Sequence, residues 1–310
     1  MLKKWAIFMM SMLLLLFIGT GCSSSNEAEK QNGKIVVTTT TGQIADIVKN
    51  VGGEHVEVTA LMGPGVDPHL YQASQGDIQK LSNADMIFYN GLHLEGKMGE
   101  IFEKIAKNKP TIAVAEAIPK DKLIKSQSGA NAYDPHVWFD IDLWSYAVKE
   151  VRDELSKFDP KHQQDYKKNA DEYLKSLQDV KAYAQKQIAQ IPEQSRVLIT
   201  AHDAFGYFGR AYGIEVMGLQ GLSTDSEYGL KDVQSLVQTI VSRNIKAVFI
   251  ESSISEKSIK AVVEGAKKRN HTVTIGGQLF SDAMGEEGTK EGTYIGMYKH
   301  NIDTIVSALK

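Results

Sequence analysis

The tripeptide Asp-Pro-His stands at Asp67-Pro68-His69 and again at Asp134-Pro135-His136, in a chain of 310 residues with only 7 prolines and 8 histidines. At ordinary residue usage the chance of two such pairings is on the order of one in ten thousand. Proline fixes its own φ and drives the preceding aspartate into extended backbone, so each imidazole leaves the chain from a stiff corner. A side chain with little freedom left to lose is suited to holding a metal ion, for which imidazole is the commonest protein ligand. A third histidine, His202, directly follows the apolar run at 197–200. In α/β sheets, ligands gather beyond the carboxyl ends of strands. A lone histidine at such a place is more often a hydrogen-bonded structural residue, but three of them, spread over both halves of the chain, point to a shared task.

Two acids are less decided by their spacing. Glu251 ends the apolar run at 247–250, where it either hydrogen-bonds a ligand imidazole or opens a helix beside Ser252 and Ser253. Asp282 lies in Gln278-Leu279-Phe280-Ser281-Asp282-Ala283-Met284-Gly285, and spacing alone favours a helix cap or a turn former there. His55, His162, His271 and His300 sit in polar stretches and read as surface histidines, and His93 as a supporting or structural one.

The elements that must position these residues alternate. Apolar runs of strand length at 35–37, 56–61 and 86–89 are separated by helical patterns near 43–51 and 75–81. A second set follows Pro192, with strands at 197–200, 215–217, 247–250 and 272–275 and helices near 231–242, 256–268 and 294–308. Such alternation predicts parallel sheets with crossover helices, an α/β fold in two lobes. Between the sets Tyr166, Ala170, Tyr173, Leu177, Val180, Ala184, Ile188 and Ile191 recur at steps of three and four, one apolar stripe on a helix. Asp159 and Pro160 start it and Pro192 stops it. At about thirty residues it would run ~45 Å, longer than a lobe is wide, and so serve as a rigid spine. The expected organisation is a first lobe over 34–158, the connecting helix over 159–191 and a second lobe over 192–310.

Ahead of this lies an export signal over 1–21: Lys3 and Lys4, an apolar run at 5–18 too short to span a membrane comfortably, then Gly19-Thr20-Gly21. Cys22, the only cysteine, follows at once, which excludes an intramolecular disulfide. Its position resembles the lipobox of bacterial lipoproteins, in which that cysteine becomes the lipid-modified N-terminus; Gly19 departs from the usual aliphatic residue. Residues 22–33 then read as this lipidated end and a polar, flexible tether. Without the signal the balance is 33 basic against 38 acidic residues, which leaves no footprint for nucleic acid.

The motifs taken together resemble the metal-binding receptor lipoproteins of bacterial zinc and manganese ABC importers. The matching stretches are Gly65 to Tyr71 (Gly-Val-Asp-Pro-His-Leu-Tyr), Tyr89 to Glu95 (Tyr-Asn-Gly-Leu-His-Leu-Glu), Asp134 to Asp140 (Asp-Pro-His-Val-Trp-Phe-Asp), Ala201 to Phe208 (Ala-His-Asp-Ala-Phe-Gly-Tyr-Phe) and Gly276 to Asp282 (Gly-Gly-Gln-Leu-Phe-Ser-Asp). They span nearly the whole mature chain. The resemblance implies two α/β lobes joined by one long helix, with one divalent ion held between them by His69, His136, His202 and Asp282. It also implies a membrane permease and a cytoplasmic ATPase as partners, a lipid anchor at Cys22, and a monomer that is no enzyme. Many manganese-type relatives have glutamate where His202 stands, whereas zinc-specific relatives commonly carry a His-rich loop that the stretch 119–132 lacks. Manganese is the expected cargo, with zinc or iron as alternatives that the donor set also accepts.

Readings from other classes make different demands. A metalloenzyme needs an open coordination position and a general base, and no His-Glu-x-x-His motif is present. A purely adhesive lipoprotein would not require the four-ligand set. There is no Walker loop, so energy for transport must come from a partner.

Overall fold

The computed structural model describes residues 33–126 and 132–310. The export signal, Cys22 and nearly all of the tether lie outside the described residues. The apolar runs of the first half become β1 (Ile35–Thr39), β2 (Val56–Ala60), β3 (Met86–Tyr89) and a short β4 (Thr111–Ala113). They form one parallel sheet in the order β2-β1-β3-β4. Its crossovers are α1 (Gly42–Gly52), α2 (Gln75–Asn83) and α3 (Gly99–Ile105). α2 starts from a capping box, in which Ser74 Oγ accepts Asp77 N–H while Asp77 accepts the N–H of Ser74. α4 (Ile141–Phe158), for which the alternation of strands gave no hint, is capped by Asp140 and buries Ile141, Trp144, Val148, Val151 and Leu155 along one face.

In the second half β5 (Val197–His202) pairs with β6 (Glu215–Gln220) and β7 (Ala247–Glu251) with β8 (Thr274–Leu279), all parallel. β5 lies beside β7, so His202 and Glu251 end adjacent strands. α6 (Gly206–Tyr212), α7 (Leu230–Ser242), α8 (Lys257–Lys267) and α9 (Tyr294–Leu309) complete this lobe. β8 runs later than the apolar pattern at 272–275 suggests, because Gly276 and Gly277 belong to the strand rather than to a turn. A Cβ on Gly276 would meet Ala308 Cβ at 2.7 Å and one on Gly277 would meet Thr304 Cγ2 at 2.5 Å, so the pair lets α9 lie against the sheet. The ladder shifts register here, between Val248 and Phe249.

The long helix, α5 (Gln163–Ile188), holds 26 residues, about 39 Å of axis. It is shorter than the expected span because Pro160–His162 form a 3-10 turn first. All seven stripe residues from Tyr166 to Ile188 are buried. They join one core that includes Val37 and Ile44 of the first lobe and Phe205, Leu279, Met297 and Ile302 of the second. The spine is therefore packed against both lobes, touching α1 and α4 on one side and α9 on the other, and residues Ile35–Lys310 form one compact unit.

Candidate metal centre

Each candidate residue stands where a strand or a stiff corner ends. After β2, Leu61 and Met62 hydrogen-bond back to Thr39 and Thr40, and the chain turns through Gly65 at φ +70° into the first Asp-Pro-His corner. In both corners the aspartate Oδ1 accepts the backbone N–H of the histidine at 2.9 Å, a local turn that the tripeptide itself encodes. His202 is the last residue of β5 and Glu251 the last of β7. Asp282 comes three residues beyond β8, in the connection to α9.

These positions bring His69, His136, His202 and Asp282 into one buried cluster in which a ligand atom of each lies within 4.8 Å of the others. Nε2 of His69 is 3.3 Å from Nε2 of His136. The Asp282 carboxylate lies 3.2 Å from Nε2 of His202, 3.5 Å from that of His136 and 3.8 Å from that of His69. Three Nε2 atoms and a carboxylate thus face a common point. Both carboxylate oxygens of Asp282 and Nε2 of His202 are buried without a hydrogen bond. Buried polar atoms left in this state call for a partner, and the donor set suits a divalent transition metal.

The electrostatics differ from histidine to histidine. Burial is the main influence on His69, and with the neighbouring His136 and His202 it outweighs Asp282 and lowers its pKa to about 3. Burial also opposes charge on His202, but Glu251 and Asp282 together hold it well above the usual 6.5. Burial alone would raise Asp282, yet His202 first, then His136 and His69, keep its carboxyl well below the usual carboxylate range.

The imidazoles are backed from behind. Asp134 Oδ1 lies 2.7 Å from Nδ1 of His136, which places the proton on Nδ1 and leaves Nε2 for a ligand. Glu251 Oε2 lies 2.6 Å from Nδ1 of His202, and its Oε1 accepts the backbone N–H of His202 at 2.9 Å. Of the two readings open for Glu251, contact with the imidazole is the one found, since the next helix after Glu251 begins only at Lys257.

Sequence reasoning missed the supports beneath the second corner. Asn90 Nδ2 donates to the carbonyl of Pro135 at 3.0 Å. Asn90 is held by Glu95, a buried carboxylate that accepts from Asn90 N, Gly91 N and Thr40 Oγ1. The turn between them runs through Gly91, Leu92 and His93, all with φ between +51° and +82°. Two non-glycine residues in the left-handed region are costly, and Glu95 accepts the backbone N–H groups of Asn90 and Gly91 where this turn begins. His93 lines a separate cavity with Tyr89, Glu103 and Glu116 and is not among the four. His271 and His300 reach backbone carbonyls, and His55 stacks on His162 at 3.9 Å.

Two parallel α/β lobes on a helical spine, with a buried nitrogen and oxygen donor set between them, are the architecture of a metal-binding receptor of the substrate-binding class. The chain belongs to the family described as zinc-uptake complex component A, periplasmic, whose model matches residues 37–308. It is 60% identical over 302 residues to the manganese-binding lipoprotein MntA of Bacillus subtilis strain 168, covering 97% of this chain and 98% of that one. It is 51% identical over 278 residues to the zinc-binding protein TroA of Treponema pallidum strain Nichols, 90% of each chain. The solved structure of that periplasmic zinc-binding protein matches with a TM-score of 0.87 over 89% of this chain and 99% of that one. A metal ABC transporter substrate-binding lipoprotein, FimA of Streptococcus parasanguinis, is 32% identical over 314 residues, 99% of each chain.

Proposed function

We propose that this chain captures one Mn(II) ion outside the cytoplasm, through His69, His136, His202 and Asp282, and hands it to the permease of an ABC importer driven by a cytoplasmic ATPase. The observation that carries this reading is the cluster itself: four buried ligand atoms within 4.8 Å of one another, drawn from both lobes. Manganese as cargo is supported by the 60% identity to a protein named for binding it. The 51% identity to a protein named for zinc keeps zinc as the second reading, and Zn(II) outcompetes Mn(II) at almost any such site in the absence of cellular control. Four protein ligands fit carriage better than catalysis, which needs an open position for water.

The same reading assigns residues 1–21 to an export signal and Cys22 to a lipid anchor. It divides the mature chain into a first lobe over 34–158, the helix over 159–191 and a second lobe over 192–310, working as a monomer. Among the described residues no helix is long and apolar enough to cross a membrane. Elemental analysis of protein expressed and purified under controlled metal supply tests the proposal. One manganese per chain is expected from manganese-replete cells with trace zinc; metal-free protein from every supply would overturn it.

A further inference from the structure

We propose that Gln43 and Trp138, both in the first lobe, are positioning residues that hold the Asp282 loop of the second lobe in its ligating conformation and so set how long the ion stays bound. The inference rests on the reading of Asp282 as a ligand.

Asp282 lies in the irregular connection between β8 and α9, where no ladder fixes the backbone. Among the described residues, the donors that reach the carbonyls on either side of its Cα come from across the lobe boundary. Gln43 Nε2 donates to Asp282 O at 3.1 Å and to Ser281 O at 3.4 Å. Trp138 Nε1 donates to Ser281 O at 3.1 Å. Both donors are buried, Gln43 at 1% and Trp138 at 1% exposed, and Gln43 Oε1 has no hydrogen bond, so the amide is placed for what its nitrogen does. Gln43 sits in the first turn of α1 beyond the end of β1, and a Cβ on the neighbouring Gly42 would approach Met284 Cε at 3.1 Å, so the start of this helix rests on the loop. Trp138 follows His136 by two residues, and its ring stands edge to face on that imidazole at 5.3 Å between centroids. One indole thus touches a first-lobe ligand and ties down a second-lobe one.

His136 and His202 are backed by carboxylates of their own lobes. The loop of Asp282 is held by its own lobe at Phe280, through Asn301, and at Ala283, through Ser252, whereas the carbonyls of Ser281 and Asp282 between them are held by the opposite lobe. Any relative shift of the lobes that stretches the Gln43 and Trp138 bonds frees the Asp282 loop first, which couples lobe position to release without a wide opening.

The test compares Gln43→Met, which keeps the shape and removes the donor, with Trp138→Phe, the double variant and a control, Lys49→Gln. The control breaks the exposed cross-lobe pair of Lys49 with Glu287, which makes no bond to Ser281 or Asp282. Mn(II)-loaded protein is mixed with excess pyridylazoresorcinol and release is timed. Trp138→Phe should release about fivefold faster, the typical effect of one hydrogen bond, Gln43→Met, which loses two bonds to the loop, at least as fast, and the double variant more than about twentyfold faster, with the control unchanged. In an Asp282→Ala background, Gln43→Met should add nothing, whereas a merely structural role would add its full effect there. Release by the double variant within twofold of wild type, or full additivity with Asp282→Ala, overturns the proposal. If Asp282→Ala alone leaves release unchanged, the ligand reading itself fails, which is a separate result.

Discussion

The two Asp-Pro-His corners have the same three residues and the same 2.9 Å bond from histidine N–H to aspartate, yet their aspartates do different work. Asp134 is 1% exposed and turns the oxygen that holds the backbone toward Nδ1 of its own His136 as well. Asp67 makes no such contact with His69; its second oxygen accepts from Thr224 Oγ1 at 2.6 Å, a residue of the other lobe. Nearby, Lys97 pairs with Asp225 across the same boundary. A tripeptide thus dictates a backbone turn, while the tertiary surroundings decide whether its carboxylate braces its own imidazole or fastens two lobes. His136 and His202, each with a carboxylate on its Nδ1, form the carboxylate-backed half of the proposed centre, and His69 the unbacked half.

The largest expected effect is loss of a ligand. His136→Ala and His202→Ala should lower affinity for Mn(II) by orders of magnitude, His69→Ala and Asp282→Ala nearly as far, with the metal-free fold retained by circular dichroism. Near-normal metal content in two of the four variants would end the assignment. A step below comes removal of the backing carboxylates. Asp134→Asn and Glu251→Gln should each weaken binding about 10- to 100-fold, the usual range for groups that orient a ligating imidazole. Asp67→Asn and Thr224→Val should cost only a few fold in equilibrium titration, because they touch the turn and the lobe contact and leave the imidazole alone. Equal losses at Asp67 and Asp134 would erase the distinction between the corners.

Acid gives a graded effect with a definite sign. A metal ion binds the neutral imidazole, and His202 in the metal-free protein has a pKa held above 6.5 by Glu251 and Asp282 despite its burial. Below that pKa it carries a proton that the ion must displace, so affinity falls as pH falls, by up to about tenfold per unit. The fall therefore begins above pH 6.5, earlier than an ordinary histidine would set it. His69, lowered to about 3, and Asp282, held in its anionic form, contribute no proton at neutral pH. Calorimetry in buffers of different ionisation enthalpy should show proton release on binding near pH 7; none would contradict the assignment of His202.

Much of this was readable before the fold, and for physical reasons. Apolar runs placed β1 to β3 and β5 to β7, of which β1, β3, β5 and β7 are buried along most of their length, and the three-and-four spacing placed the spine, which buries one stripe. β8 was expected at 272–275 and runs instead over Thr274–Leu279, because Gly276 and Gly277 look like a turn until α9 is packed upon them. α4 escaped because its stripe begins directly after Asp140 without a preceding strand to announce it. His69, His136 and His202 announced themselves by proline corners and a strand end. Asp282 did not, because a single aspartate among Ser, Ala and Gly looks like any cap, and only family resemblance raised it. Gln43, Trp138 and Asn90 carry no local signature, since their partners lie 45 to 239 residues away.

The most direct measurement is a crystal structure of the Mn(II)-loaded chain with diffraction recorded on both sides of the manganese absorption edge. One anomalous peak is expected per chain, bonded to Nε2 of His69, His136 and His202 and to the Asp282 carboxylate, with Asp134 and Glu251 still behind their imidazoles. A peak bound elsewhere, or a centre that stays empty when the protein is saturated with metal, would contradict the assignment.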